Sequence, residues 1–348
     1  MKFLRLAFYV LIAQLVLSGC AGEGVEETSS SSSSEINFDA YLGRNASTRA
    51  GETDIASLKG TAFNSGFGVF ARYNHNGTTS SLMNNEHVTW NGDHWGYTNT
   101  RYWSNEGTVD FYAFAPYLEN VKKLVCAPDS IKDNPTCIEF TSSTSPVDLV
   151  WNVQKNKTAP DGKVKFVFKH ALARLGFDIT ANQKLEEHGA VIKVKEVKLY
   201  GKTEDEGVFD IKGYLNLENG GWSVANPNTR LVYTWTPGAE DGTSFRLSAS
   251  QLDHICTEIK NALNSYLCII PQEKYQSFYL QITYTVQQGT FEEEVKVKKD
   301  LTGIRKPFKF EKGKAYVFHL KLSLDPIDFN ISATVEDFAE GKNETMFL

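Results

Sequence analysis

The residue pair that first invites chemistry is Arg49-Ala50, a basic residue beside a small one in the stretch GRNASTRAGET at residues 43–53. Such a segment is polar and rich in turn-forming residues, the kind of linker that a protease can hold extended and cut. It lies between a run of six serines and the first dense hydrophobic sequence of the chain. The thiols come next. Five cysteines are present, and Cys20 closes the leader described below, which leaves Cys126, Cys137, Cys256 and Cys268. Four cysteines allow three pairings. Nearness in sequence favours Cys126–Cys137 and Cys256–Cys268, two short loops that would add at most about 3 kcal/mol in an oxidising compartment. Buried thiols are the alternative. None forms a CxxC, so they do not point to zinc or redox chemistry.

The seven histidines are scattered. His87 and His94 flank an Asn91-Gly92 turn and could meet across a hairpin, but no third ligand lies near them in sequence, so no metal is expected. His170, in FKHALARL, reads as a hydrogen-bonded packing residue, and His319 shares with Val317 and Lys321 the face opposite the apolar one. No GxSxG, HExxH, phosphate-binding loop, dinucleotide fingerprint or calcium loop occurs. The chain is therefore not expected to be an enzyme or to carry a cofactor. Glu186-Glu187 and Glu292-Glu293-Glu294 read as solvated surface. Trp90, Trp95, Tyr97, Tyr102 and Trp103 are either a stacking platform for sugar rings or core and cross-strand pairs, which strands recruit without any ligand.

These residues must be delivered and positioned by the elements around them. Lys2 and Arg5 precede an apolar run, residues 6–17, that is too short to span a bilayer well. The run ends in Leu17-Ser18-Gly19-Cys20, which resembles a bacterial lipobox. In such signals the cysteine becomes the first residue and carries lipid, so Cys20 is the expected lipidation site, with residues 1–19 as the signal peptide. The acidic, serine-rich stretch that follows has too little apolar content to fold and reads as a tether. Next, Ile36, Phe38, Ala40 and Leu42 alternate with polar or turn residues, the period of a half-buried strand.

The remainder, roughly 300 residues, suggests about two domains. Its hydrophobic content suffices for real cores: 41% of the chain is hydrophobic, with 22 Phe, 15 Tyr and 6 Trp. The formal net charge of −6 shows none of the basic balance that nucleic-acid binding needs. Period-two alternation recurs in TVDFYAFAPY, KVKFVFKH, SFYLQITYTVQQ, KAYVFHLKLSL and DFNISATVEDF, one hydrophobic face per strand, as in sheets packed face to face. Helical signal is thin: HALARLGFDI could hold one turn, and Leu252, Ile255, Ile259 and Leu263 have helical spacing in what is either a short helix or an irregular crossover. A polar stretch near residue 182 divides two strand-rich halves.

Taken in order, LSGC, the serine tether, INF…STRA, FGVFARY, RYWSNEGTVDFYAFAPY, VKFVFKHALARLGFDI, VKLYGKTEDEGVFD and FEKGKAYVFHLKLSL resemble the fimbrillin-like lipoproteins of Bacteroidales type V pili. The resemblance runs across nearly the whole chain. It implies an all-β protein of two tandem transthyretin-like β-sandwich domains, about seven strands each, at residues 50–182 and 183–348. It implies export to the outer membrane as a lipoprotein held through Cys20, with residues 20–49 a lipidated tether and removable strand. It further implies maturation by an arginine-specific surface protease of the gingipain type, then polymerisation with other pilin subunits by strand exchange. The bond that matches the family's cleavage site is Arg49-Ala50, with Arg44-Asn45 a weaker second. The displaced strand would be that of Ile36, Phe38, Ala40 and Leu42, taken as an edge strand of the first sandwich. The donor would be the strand of Phe329, Ile331, Ala333 and Val335, or the tail through Met346, Phe347 and Leu348. The family includes shaft subunits, tip adhesins and uncut anchors, and a basic cleavage residue argues against a permanent anchor. The rival reading is a surface lipoprotein that binds a host glycan or protein through residues 90–103 without polymerising.

Overall fold

Alternation along residues 36–42 sets Ile36, Phe38, Ala40 and Leu42 on one side of the chain, and the computed structural model turns that side inward. The structure describes residues 34–42, 53–128, 134–142, 147–181, 189–225, 229–236, 246–247, 255–256, 267–273, 277–302, 309–322, 330–337 and 343–347. Cys20, Arg44, Arg49, Ala50, Phe329 and Leu348 lie outside them.

The chain runs through β1 (Phe38–Leu42), a one-turn helix α1 (Ile55–Leu58), β2 (Phe67–His75), β3 (Thr78–Trp90), β4 (Trp95–Gly96), β5 (Thr108–Ala115), β6 (Cys137–Thr141), β7 (Val150–Lys157) and β8 (Val164–His170). Seven of these strands close a barrel in the order β1-β4-β3-β2-β5-β7-β8. β1 is thus no edge strand. It is the seam that joins β8 to β4. The reason is pairing at long range: β1 lies parallel to β8 over Phe38↔Val164 to Leu42↔Phe168 and meets β4 antiparallel at Phe38↔Trp95.

The expected Asn-Gly hairpin is present as β3-β4, with a four-residue loop, 91–94. Asn91 Oδ1 accepts from the backbone N–H groups of Asp93 and His94, at 3.1 and 2.9 Å, and Gly92 takes φ +104, where a side chain would be strained. The helix α1 begins at Asp54, whose carboxylate caps the N–H of Ser57 while the Ser57 hydroxyl caps the N–H of Asp54.

The second half begins ahead of residue 182, where the sequence divided the chain, because β9 (Ala173–Ala181) pairs with strands far beyond it; it also holds β10 (Ala190–Tyr200), β11 (Phe209–Asp210), β12 (Lys212–Asn216), β13 (Trp222–Val224), β14 (Arg230–Leu231), β15 (Tyr233–Trp235), β16 (Arg246–Leu247), β17 (Ile255–Cys256) and β18 (Leu267–Ile269). It continues through β19 (Gln272–Glu273), β20 (Tyr279–Gln288), β21 (Phe291–Asp300), β22 (Lys309–Phe310), β23 (Lys314–Leu322), β24 (Asn330–Asp337) and β25 (Asn343–Phe347). A five-stranded sheet runs β15-β10-β20-β21 with β16 beside β10, and a six-stranded one runs β17-β9-β23-β24-β25 with β18 beside β9. Their apolar faces share one core that includes Phe177, Leu199, Ile282 and Phe318.

The protein is all-β, as expected. The chain leaves the barrel between His170 and Ala173, with no helical turn in HALARLGFDI. The halves also interlock. β6 pairs not with the barrel but with β12 of the second half, and residues 34–348 form one compact unit. Here the one-face expectation fails for β5. Its Val109, Phe111 and Ala113 point into the barrel core, but Tyr112 and Phe114 are buried too, in a third core with Phe140, Leu215 and Trp222. Trp222 Nε1 donates to the Ala171 carbonyl at 2.7 Å, which fastens the two halves at their crossover. Of the residues with helical spacing, Ile255 lies with Cys256 in a short strand beside β9, and Leu252, Ile259 and Leu263 lie outside the described residues.

Candidate functional site

The seam is built from four inward side chains and a ring of neighbours. Phe38, 1% exposed, has its ring 5.7 Å from Phe166, 5.4 Å from Tyr97, 5.9 Å from Phe111 and 6.3 Å from Phe67. Ile36, Ala40 and Leu42 are buried in the same core. On the outer side Tyr41 and its partner Val167 stand half exposed. The segment leading into β1 is fixed by backbone bonds: Ile36 N–H to Arg101 O and Trp103 N–H to Ser34 O, at 2.8 and 2.9 Å. Tyr97 Oη donates to Ile36 O at 2.8 Å and accepts from Arg101 N–H at 3.1 Å. Burial pushes the Tyr97 phenol above its ordinary pKa, against the opposing bond from Arg101.

On the far side of Arg49 the chain is gripped again. Thr53 N–H donates to Asp148 Oδ2 at 3.0 Å, and the Thr53 hydroxyl donates to Asp148 O at 2.5 Å. Asp148 is almost fully buried and also meets His170 Nδ1 at 3.0 Å. Residues 43–52 therefore run between two fixed points: a strand in the seam and a clamp on the body. His170 is the hydrogen-bonded packing residue that was expected. No local pattern in the sequence marked Asp148 as its partner, or Thr53 as the residue that Asp148 also holds. An Asp148→Ala chain is expected to lose about 1–3 kcal/mol, the cost of stranding a buried donor. Urea denaturation checks the loss, and faster hydrogen exchange at the Thr53 amide locates it.

The other expected site residues scatter. Among the candidate donors, β24 carries Ile331, Ala333 and Val335 between β23 and β25, whereas β25, with Met346 and Phe347, pairs on one side only among the described residues. Neither expected disulfide is formed. Cys137 is a buried thiol. Cys256 and Cys268 pair with Asp178 and Arg174 of β9, which sets them roughly 13 Å apart along that strand, beyond the reach of a disulfide. Burial raises the pKa of both the Cys137 and the Cys268 thiols.

His87 and His94 take separate partners: His87 stacks on Tyr117 with centroids 3.7 Å apart and meets Ser65 O, while His94 stays within its own turn beside Asn91 and Asp93. His319 meets Asp178 at 2.9 Å. Of the five aromatics, Trp95 and Trp103 are in the barrel core, Trp90 and Tyr97 pack against it, and Tyr102 alone is half exposed. Among the described residues no group of three metal-ligating side chains occurs, and no helix is long and apolar enough to cross a membrane.

Comparison with known proteins adds a family to this geometry. The model of the fimbrillin-like family matches residues 48–337. Fimbrium subunit Fim1C of Phocaeicola vulgatus is 28% identical over 251 residues, 65% of this chain and 63% of that protein, so the chain spans less than two thirds of that relative. The crystal structure of a fimbrial protein from Bacteroides vulgatus superposes with a TM-score of 0.64 at 22% identity, covering 87% of this chain and 99% of that one. That likeness is one of fold.

Proposed function

The chain belongs to the fimbrillin-like family, and on that premise we propose that it is a shaft or tip subunit of a cell-surface fimbria, exported as an outer-membrane lipoprotein on Cys20, cut after Arg49 by an arginine-specific surface protease, and polymerised by strand exchange. The observation that carries the proposal is the place of β1. A strand that closes a barrel and is joined to the body only through residues 43–52 can be released by one cut in that stretch.

The energetics support this order of events. Burying side chains the size of Ile36, Phe38 and Leu42 stabilises by about 1.5–3 kcal/mol each. While the peptide is intact, a strand that slips out returns at the high local concentration of a tethered ligand. Once cut, its return is bimolecular. Its loss leaves β8 and β4 as open edges above apolar pockets, and such an edge templates another strand. A neighbouring subunit's strand would take the place with backbone bonds and alternate side chains. β25 is the favoured donor because, among the described residues, it gives up one ladder on leaving, where β24 gives up two.

The test is limited digestion of the chain with an arginine-specific protease, followed by intact mass and size-exclusion. A single cut at Arg49-Ala50 with growth of polymers is the expected result. A cut chain that stays monomeric and binds a glycan array would favour the non-polymerising surface lipoprotein instead.

A further inference from the structure

β21 ends its sheet: it pairs with β20 from Tyr279↔Asp300 to Gln288↔Phe291, and among the described residues no strand lies on its other side. Exposed edges of this length are ordinarily guarded by scattered charges. Here the charges are sorted. Glu292, Glu293 and Glu294 occupy the first half of the strand, and Lys296, Lys298 and Lys299 the second, with Val295 between them. These six residues are exposed, as are Asp300, the acidic residue that closes the strand, and Phe291 at its start. Val295 and Val297 are half-buried against the core below, so Glu292, Glu294, Lys296 and Lys298 share the outer face.

We infer that β21 is a self-complementary docking edge whose occupant is the β21 of a second copy of this chain. Antiparallel pairing about a two-fold axis through Val295 sets Glu294 of each copy opposite Lys296 of the other, and Glu292 opposite Lys298, all on one face of a continuous sheet. Shifting the register by one residue pair toward either end sets Glu294 against Glu294 or Lys296 against Lys296, and parallel pairing in register sets every charge against its like. The register about Val295 pairs Glu292 and Glu294 with lysines and sets no like charges opposite each other, so charge order favours it.

The charged neighbours from the adjoining strands leave this arrangement standing. Lys195 of β10 reaches Glu294 at 2.7 Å and Lys193 reaches Glu292 at 3.4 Å, both across the face rather than along the edge. Lys298 lies over the Tyr279 ring at 4.0 Å and over Tyr200 at 5.2 Å, which holds its stem flat on the sheet. The contact buries little and is weak between single copies. In a fimbria, on the functional reading above, it would repeat along the length and bind filaments side by side through avidity.

The test uses the uncut full chain in detergent, where β1 fills the seam and strand exchange does not contribute. Sedimentation over a range of concentration is expected to show a monomer–dimer equilibrium that weakens as salt is raised. Glu294→Lys is expected to lower the association constant about ten-fold, since it places two like-charge pairs in a symmetric contact. The double change Glu294→Lys/Lys296→Glu restores complementarity and is expected to restore the dimer. Circular dichroism of each variant establishes that the fold is kept. A chain monomeric at every concentration, a dimer untouched by Glu294→Lys, or a double variant no better than the single one would overturn the inference.

Discussion

A Phe38→Ala chain is expected to be about 3–5 kcal/mol less stable than its parent for as long as β1 stays attached. Its ring sits at the centre of the seam, in contact distance of rings from β2, β5 and β8 and of Tyr97. Truncation to alanine leaves a cavity between strands whose backbones are held by ladders on both sides, so collapse is limited and the cost falls at the upper end for a core aromatic. The account adds a second, sharper expectation. Once the strand has been cut away and the subunit assembled, Phe38 is no longer part of the body, and variant and parent polymers should melt together. Urea denaturation of the uncut chains and thermal melts of the polymers check both halves. Equal stability before cutting would mean that Phe38 does not sit in the seam. A difference that persists in the polymer would mean that β1 never leaves.

Arg49→Ala is expected to abolish assembly while leaving the fold and stability of the precursor unchanged. The arginine stands in a stretch of small and polar residues, and its work is done at the protease. With the bond intact, β1 stays tethered through residues 43–52 and outcompetes any free donor strand through its local concentration. The measurement is size-exclusion after exposure to an arginine-specific protease, with the parent as reference. Residual assembly in the single variant would be traced to Arg44-Asn45 by intact mass and should vanish in Arg44→Ala/Arg49→Ala. Polymers formed by the uncut double variant would sink the cleavage step.

Much of this architecture is legible in the sequence, and the limits have physical causes. Period-two alternation in residues 36–42 marks the four side chains that are buried, because a strand's own pleat decides which side each residue takes. It does not say what the strand pairs with. β8 and β4 lie far along the chain, so the same alternation fits an edge strand and a seam equally well. β5 shows a similar limit. Tyr112 and Phe114 sit on the face opposite the one taken as the core side, and they are buried because β6 leaves the barrel to pair with β12 and covers them with a core that neither half contains alone. The clamp in which Asp148 holds both Thr53 and His170 is built between residues far apart in the chain and is invisible to any local pattern. Proximity in sequence misled for the cysteines: Cys256 in β17 and Cys268 in β18 are near neighbours in the chain but pair with separate points of β9. Ring content at residues 90–103 was informative about core, where Trp95 and Trp103 are placed.

The central claim is that β1 must leave the seam before subunits join. A reversible lock tests it most directly. Tyr41 and Val167 are directly opposite in the parallel pair, and their side chains are 50% and 53% exposed on the outer face. Cα atoms of neighbouring strands lie within the span of a disulfide, so Tyr41→Cys/Val167→Cys can tie β1 to β8 without disturbing the core. The oxidised chain, cut with the arginine-specific protease, is expected to keep its strand and remain monomeric, and to assemble once a reductant is added. Assembly of the oxidised, cut chain at the rate of the reduced one would contradict the account.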